Sequence, residues 1–484
     1  MSKFLLKSTF LVTVIYSVFA LLSADYALAD SLADTNILFV GNSFTHGRYP
    51  PVLNYNAGAA DSPGDGVVHD LLCPTTGCLT RYPGSPSLPI EGGTQVTPTT
   101  ANTPGATLND KLTYLQGNSG SQYNEIGPYS GVAGIFLQFT KAAGLHYNVD
   151  IVAVSSASLF GYEGPTGTSR AALPLITNPK YSQVVLQEQS FKALPTSILN
   201  NGVTVATRGA PGTPTDPGTT NTFGGGVSGL VAAINNADAA AGKPNAAITL
   251  VEPSPIAAYG FTSSNPNAPI FGSSTPGGQT GANAAIPGPF APYVGDTANP
   301  IAVMNADNHN AYATEANGFN AAHPLLSQLN VAFTGDAWVT AINSGIALLN
   351  PYLSSEPAGQ INLWESDPLL ACCTTPIGYH PGLYGDYLNA LMIFGTVTGV
   401  NPETLSAEWD PNNPNYAASA AFALGINPLI AATLAVVAED TLLAGGPTTV
   451  TPLPSSWTMM LIGLAGLGVV AYRRKKHSAA LAAA

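Results

Sequence analysis

The chain has 484 residues, with 15 Lys or Arg against 28 Asp or Glu, for a formal charge of −13 at pH 7. An acidic, lysine-poor surface argues against nucleic acid or anionic lipid as a partner and suits a neutral substrate. Length alone allows more than one domain. The stretches Tyr82–Gly105, Arg208–Gly226 and Thr262–Pro300, however, are dense in Gly, Pro, Thr, Asn and Ser without apolar period, which points to one domain widened by surface loops.

Residues 1–29 carry Lys3 and Lys7, an apolar run from Phe10 to Leu22, and Ala27-Leu28-Ala29 before Asp30. That order predicts a secretory signal peptide cut after Ala29, since the run is shorter than the ~20 residues a membrane span needs. Five short apolar runs then read as buried strands: Asn36–Val40, Val149–Val154, Gln183–Leu186, Ala246–Val251 and Val331–Phe333. Helical patterns occupy Val132–Ala143, Val227–Ala241, Ala311–Leu326, Ala337–Leu349, Tyr384–Val397 and Ala417–Leu443, the last interrupted by Asn427-Pro428 and so expected to pack rather than to span a membrane. The alternation predicts a three-layer α/β sandwich over residues 30–445, with a five-stranded parallel sheet and ligands at the carboxyl ends of its strands. Cys73 and Cys78, spaced Cys-x4-Cys, and the adjacent Cys372-Cys373 lack the Cys-x2-Cys spacing and, in an exported chain, are expected to be oxidised rather than zinc-bound.

Residues 446–484 have a different plan. Pro452-Leu453-Pro454 precedes an apolar helix, Trp457–Tyr472, and then Arg473-Arg474-Lys475-Lys476, a basic end that stays cytoplasmic and holds the preceding chain outside. This tail resembles the PEP-CTERM sorting signal of Gram-negative bacteria, with Leu453 where that signal usually has Glu. The resemblance implies an exosortase-like processing enzyme as partner, a cell-envelope or extracellular location, and a surface polysaccharide nearby. Without signal peptide and tail, Lys plus Arg falls from 15 to 9 and Asp plus Glu from 28 to 27, leaving −18.

Chemistry concentrates at the strand ends. Ile37-Leu38-Phe39-Val40 runs into Gly41-Asn42-Ser43-Phe44-Thr45, so the Ser43 hydroxyl stands where the first strand turns at the carboxyl edge of the sheet. Gly41 removes side-chain bulk there, and the N–H groups of a following helix favour developing negative charge. Three further blocks accompany it: Ser155-Ser156-Ala157-Ser158-Leu159, Val184-Val185-Leu186-Gln187-Glu188-Gln189-Ser190, and Gly378-Tyr379-His380-Pro381-Gly382-Leu383-Tyr384-Gly385-Asp386.

Together these blocks resemble the SGNH (GDSL-like) hydrolases, in particular the branch whose first block reads Gly-Asn-Ser-Phe-Thr. The resemblance implies a flavodoxin-like α/β/α fold and ester hydrolysis without a cofactor or metal. Ser43 would be nucleophile and His380 its base, with an oxyanion hole from the backbone at Ser43, the loop at Ala157–Ser158 and the Gln189 side-chain amide. The family's acid stands three residues before the histidine, a position held here by Ile377. Looping out the ten residues Pro368–Ile377 would join Asp367 to Gly378 and restore the spacing, so Asp367 is the expected acid, Glu365 the second candidate, and a dyad without acid the third option.

Asp307-Asn308-His309 has metal-ligand residue types but reads as a solvated turn, and His46 as a residue of the first helical turn. No phosphate-binding or dinucleotide fingerprint is present. The expected function is an exported carboxylic-ester hydrolase acting on acyl groups of a surface polysaccharide. The alternative is a non-catalytic glycan-binding or matrix protein on the same scaffold.

Overall fold

The computed structural model describes residues 34–445, apart from 48–49, 63–65, 74–126, 155–156, 165–168, 190–191, 195–221, 258–298, 352–356, 358, 365–377 and 379. The expected signal peptide and sorting tail, most of the three Gly/Pro-rich stretches, and Glu365, Asp367 and Ile377 lie outside the described residues.

Seven strands form one parallel sheet: β1 (Thr35–Gly41), β2 (Ala57–Ala59), β3 (Val68–Asp70), β4 (Tyr147–Ala153), β5 (Gln183–Gln187), β6 (Ala247–Val251) and β7 (Leu329–Ala332), in the spatial order β2-β3-β4-β1-β5-β6-β7. The helices are α1 (Ser43–His46), α2 (Pro50–Leu53), α3 (Val132–Ala142), α4 (Leu159–Glu163), α5 (Leu173–Ile176), α6 (Phe223–Ala240), α7 (Pro300–Ala322), α8 (Thr334–Asn343), α9 (Leu383–Thr398), α10 (Ala420–Leu424) and α11 (Pro428–Gly445).

β1 is central because it is apolar on both faces. Ile37 and Phe39 enter one core layer with α3, α8, α9 and α11, while Leu38 and Val40 enter the other with α4, α6 and much of α7. All four side chains are fully buried, a contribution on the order of 2 kcal/mol apiece. Reading down the sheet, Val185, Val251 and Ala332 repeat the first orientation, and Leu186, Leu250 and Val331 the second.

The α/β class and the parallel sheet agree with the pattern of the sequence, but the strand count does not. β2 and β3 are Ala-Gly-Ala and Val-His-Asp, three residues each with no apolar run to mark them; β3 is held in register by β4, and β2 by β3. β4 is anchored at this side by Asp150, which accepts from Tyr181 Oη at 2.7 Å and pairs with Lys180 at 2.5 Å and His69 at 3.1 Å.

Two helices start earlier than their apolar periods do. Asn299 caps α7 by accepting from Ala302 N, with Pro300 at the first position, so Asp307-Asn308-His309 lies on a helix and not in a solvated turn. Asn308 is buried there, at 1% exposure. Thr222 caps α6, which therefore includes Gly224-Gly225-Gly226, read from sequence as loop. Three glycines weaken a helix by about 1 kcal/mol each, and close packing offsets it: a Cβ on Gly226 would stand 2.6 Å from the Phe160 backbone N of α4.

The break expected at Asn427-Pro428 separates α10 from α11. α11 is apolar and long enough to cross a membrane, yet Ala431, Leu434, Ala435 and Ala438 are buried in the core layer shared with α9, while Leu429 and Leu443 face outward. Cys73 is buried and disulfide-bonded, as expected of an oxidised chain.

Gly131, before α3, has φ +55, and a Cβ there would lie 2.2 Å from the His46 carbonyl carbon and 2.3 Å from the Thr45 carbonyl oxygen. Backbone atoms cannot rotate away, and the conformation itself costs a non-glycine residue on the order of 1–3 kcal/mol. Gly131→Ala is expected to lower the free energy of unfolding by more than about 2 kcal/mol in chemical denaturation.

Candidate active site

β1 delivers the chain to the carboxyl edge of the sheet at Gly41, and the turn that follows is shaped by close contacts. A Cβ on Gly41 would stand 2.0 Å from Thr45 Oγ1, so a larger residue would push Thr45 out of its hydrogen bond with Gln187 at the strand end. Asn42 is extended (φ −138) and caps α1 through Oδ1, which accepts from Phe44 N at 3.1 Å. Its Nδ2 donates to the Ala157 carbonyl at 2.9 Å, latching the turn to the loop after β4. Tyr162 Oη reinforces the same junction, donating to Gly41 O at 2.5 Å and accepting from Val154 N at 3.0 Å.

Ser43, the first residue of α1, is 8% exposed, and its Oγ lies 2.9 Å from His380 Nε2. His380 stands three residues before α9 in a loop held from below. Gly382 N donates to Leu363 O at 2.8 Å, and Trp364 bridges Pro381 in antiparallel fashion. Trp364 Nε1 donates to Pro255 O and Trp338 Nε1 to Asn389 Oδ1, each at 2.9 Å, and the two indoles meet edge-on at 5.1 Å. Gly385 allows this closeness, since a Cβ would lie 2.3 Å from Leu363 O. The Phe44 ring covers the imidazole at a centroid distance of 5.1 Å. A serine hydroxyl against an imidazole nitrogen at this distance is the pairing that makes a serine nucleophilic: the ring takes the proton as the oxygen attacks.

Gln187 and Glu188, which sequence reasoning left without a role, organise the neighbouring strand end. Gln187 Oε1 accepts from Thr45 Oγ1 at 3.0 Å and from Asn42 N at 3.4 Å, while its Nε2 donates to Glu188 O. Glu188 Oε1 accepts from Leu159 N at 3.1 Å and Gln189 N at 2.6 Å, tying the loop of Ala157 and Ser158 to the end of β5. The signal for both was available: polar residues directly continuing a buried strand must find partners. Ser158 caps α4, its Oγ accepting from Gly161 N at 3.1 Å. Gln189 stands two residues beyond β5 and is partly exposed at the same sheet edge. His46 ends α1 fully buried, with its ring 4.4 Å from that of Tyr129, a packing position rather than one facing substrate.

Behind the turn lies a cavity of about 20 Å³ lined by Phe44, Thr45, Gln187, Glu252 and Thr334, room for one water molecule and too small for an acyl chain. No protein-family model matches the chain, and no curated protein matches it in sequence.

Burial pushes the Glu188 carboxyl up to about 7, with Lys192 pulling the other way. A carboxyl whose folded pKa lies above its unfolded value of 4.5 binds its proton more tightly when folded. Its contribution is therefore fully present below pH 4.5 and lost as pH rises through about 7. Glu188→Gln keeps an acceptor for Leu159 and Gln189, so its urea-unfolding free energy is expected to fall less steeply over that pH window than that of the parent chain.

Proposed function

We propose that the chain is an exported serine ester hydrolase of the SGNH type, with a flavodoxin-like sheet order. The observation that carries this reading is the 2.9 Å contact between Ser43 Oγ and His380 Nε2 at the carboxyl edge of a parallel sheet. Ser43 gives its proton to His380 and attacks an ester carbonyl. The oxyanion takes hydrogen bonds from the Ser43 N–H, an N–H of the Ala157–Ser158 loop and the Gln189 amide. His380 then protonates the departing alcohol, and water repeats the sequence to free the acyl group. Asp367 orients the imidazole and supports its charge, with Glu365 as the second candidate. The sorting-tail resemblance supports an envelope location, removal of the tail by an exosortase-like enzyme, and an acylated surface polysaccharide as substrate.

Fluorophosphonate labelling of the folded protein tests the nucleophile. Covalent attachment is expected at Ser43, and Ser43→Ala is expected to lose both labelling and p-nitrophenyl acetate hydrolysis. Absence of labelling in folded parent protein would instead favour a glycan-binding role on the same scaffold. Gln189→Ala, which removes one of three oxyanion donors, is expected to lower kcat by about 100- to 1000-fold without abolishing it.

A further inference from the structure

Away from Ser43, on the same carboxyl edge of the sheet, four side chains unused by ester hydrolysis converge between β6, α7 and α8. Glu252 directly follows β6 and is fully buried. Asp336 lies in the first turn of α8, and His309 in the middle of α7, with its Nδ1 2.8 Å from Asp336 Oδ2. One nitrogen or carboxylate oxygen from each of the three lies within 4.8 Å of the others. Ligands about 2.0–2.2 Å from a common ion stand at such separations from one another, so the triplet has the dimensions of a single coordination sphere.

Asn305 supplies an independent sign. It sits one helical turn before His309, on the same face of α7. Its Nδ2 donates to Asp336 Oδ1 at 2.6 Å, which settles the orientation of the amide and turns the carbonyl oxygen the other way. That Oδ1 is buried and has no hydrogen-bond partner. It and the Glu252 carboxyl both border Gly335: a Cβ there would stand 2.0 Å from Asn305 Oδ1 and 3.2 Å from the Glu252 carboxyl carbon.

Three buried acceptor atoms, Asn305 Oδ1 and both Glu252 carboxylate oxygens, thus lie here without a hydrogen bond of normal geometry. The Gly335 and Asp336 N–H groups face Glu252, but neither closes such a bond. Buried acceptors left unmatched cost on the order of 1–3 kcal/mol each. A proton on Glu252 would give it one donor, enough for a single bond such as one to Asn305 Oδ1, and would leave the Asp336 charge beside it unbalanced. A doubly charged cation would satisfy both Glu252 and Asn305, and it would balance the two carboxylates of Glu252 and Asp336.

We propose that Glu252, Asp336 and His309, with the Asn305 carbonyl oxygen completing the set, bind a divalent first-row transition-metal ion. An imidazole among the ligands favours Zn²⁺ over Mg²⁺ and Ca²⁺, which prefer oxygen alone, and three oxygen donors leave room for Mn²⁺. The His309 and Asp336 side chains are 34% and 27% exposed, which gives the ion an entry path and leaves positions for water. The ion staples α7 and the start of α8 to β6. Glu252 and Thr334 also line the small cavity behind Phe44 and Thr45, so the staple backs the turn that carries Ser43.

The test is titration of chelator-treated full-length protein with ZnCl₂ and with MnCl₂ by calorimetry, beside thermal unfolding. One equivalent is expected to bind, to resist competition by Mg²⁺ and Ca²⁺, and to raise Tm. His309→Ala and Glu252→Gln are expected to weaken binding at least about tenfold, as losing even an outer-shell partner of a metal ligand does. Far-UV circular dichroism checks that each variant is folded. If His309→Ala does not fold, Asp336→Asn, which alters a partly exposed side chain, decides in its place. Absence of one-equivalent binding by the parent chain overturns the proposal. So does parent-like binding in the folded variants, because the ion would then sit elsewhere. None of these readouts depends on ester hydrolysis.

Discussion

A hydrogen bond of 2.9 Å joins two residues that lie 337 positions apart in the chain, and the architecture is arranged around keeping it that short. Ser43 is placed by the central strand, whose position is secured on both sides by β4 and β5 and on both faces by a core layer. His380 is placed by a segment tied to Leu363, Trp364 and the start of α9. One partner is therefore fixed by sheet register and the other by indole packing. An error of 1 Å in either would replace the hydrogen bond with a gap.

The strand ends around this contact are joined by side chains where backbone ladders have run out. Asn42, Gln187, Glu188 and Tyr162 each bridge two different loops. Burying a carboxyl to do this work is costly, as the raised pKa of Glu188 records. The same device recurs far from the site. Glu408 is buried, accepts from Ala421 N at 3.1 Å at the start of α10, and is likewise raised to about 7 by burial. The fold thus spends stability to hold irregular segments in place, and does so where regular secondary structure cannot.

Much of this was legible in the residues. Long apolar runs such as Ile37–Val40 mark a strand buried on both faces because no polar side chain interrupts them. The Asn427-Pro428 break was visible because proline cannot continue a helix. β2 and β3 were not visible, since β3 is placed by its pairing with β4 and β2 by its pairing with β3, and neither by its own three residues. The starts of α6 and α7 were hidden for another reason: glycines and asparagines that disfavour helices locally are accepted there because they allow close packing or find buried partners. At the site, Ser43 and His380 were readable from blocks and come together in space. Gln187 and Glu188 were not, because a side chain that supports a loop leaves no spacing signature. The same holds for His309, whose partners Glu252 and Asp336 belong to two other elements and meet it only through the fold.

The glycines at these junctions reverse the usual logic of mutational scanning. Replacing residues by alanine is ordinarily a subtraction, in which each loss of function reports a contact that has been removed. At Gly41, Gly226 and Gly385 alanine is an addition, because each has a neighbouring atom within 2.6 Å of where the new carbon would sit. A scan of this chain would therefore map two different things under one label: side chains that hold the machinery together, and places where the machinery works because nothing is there.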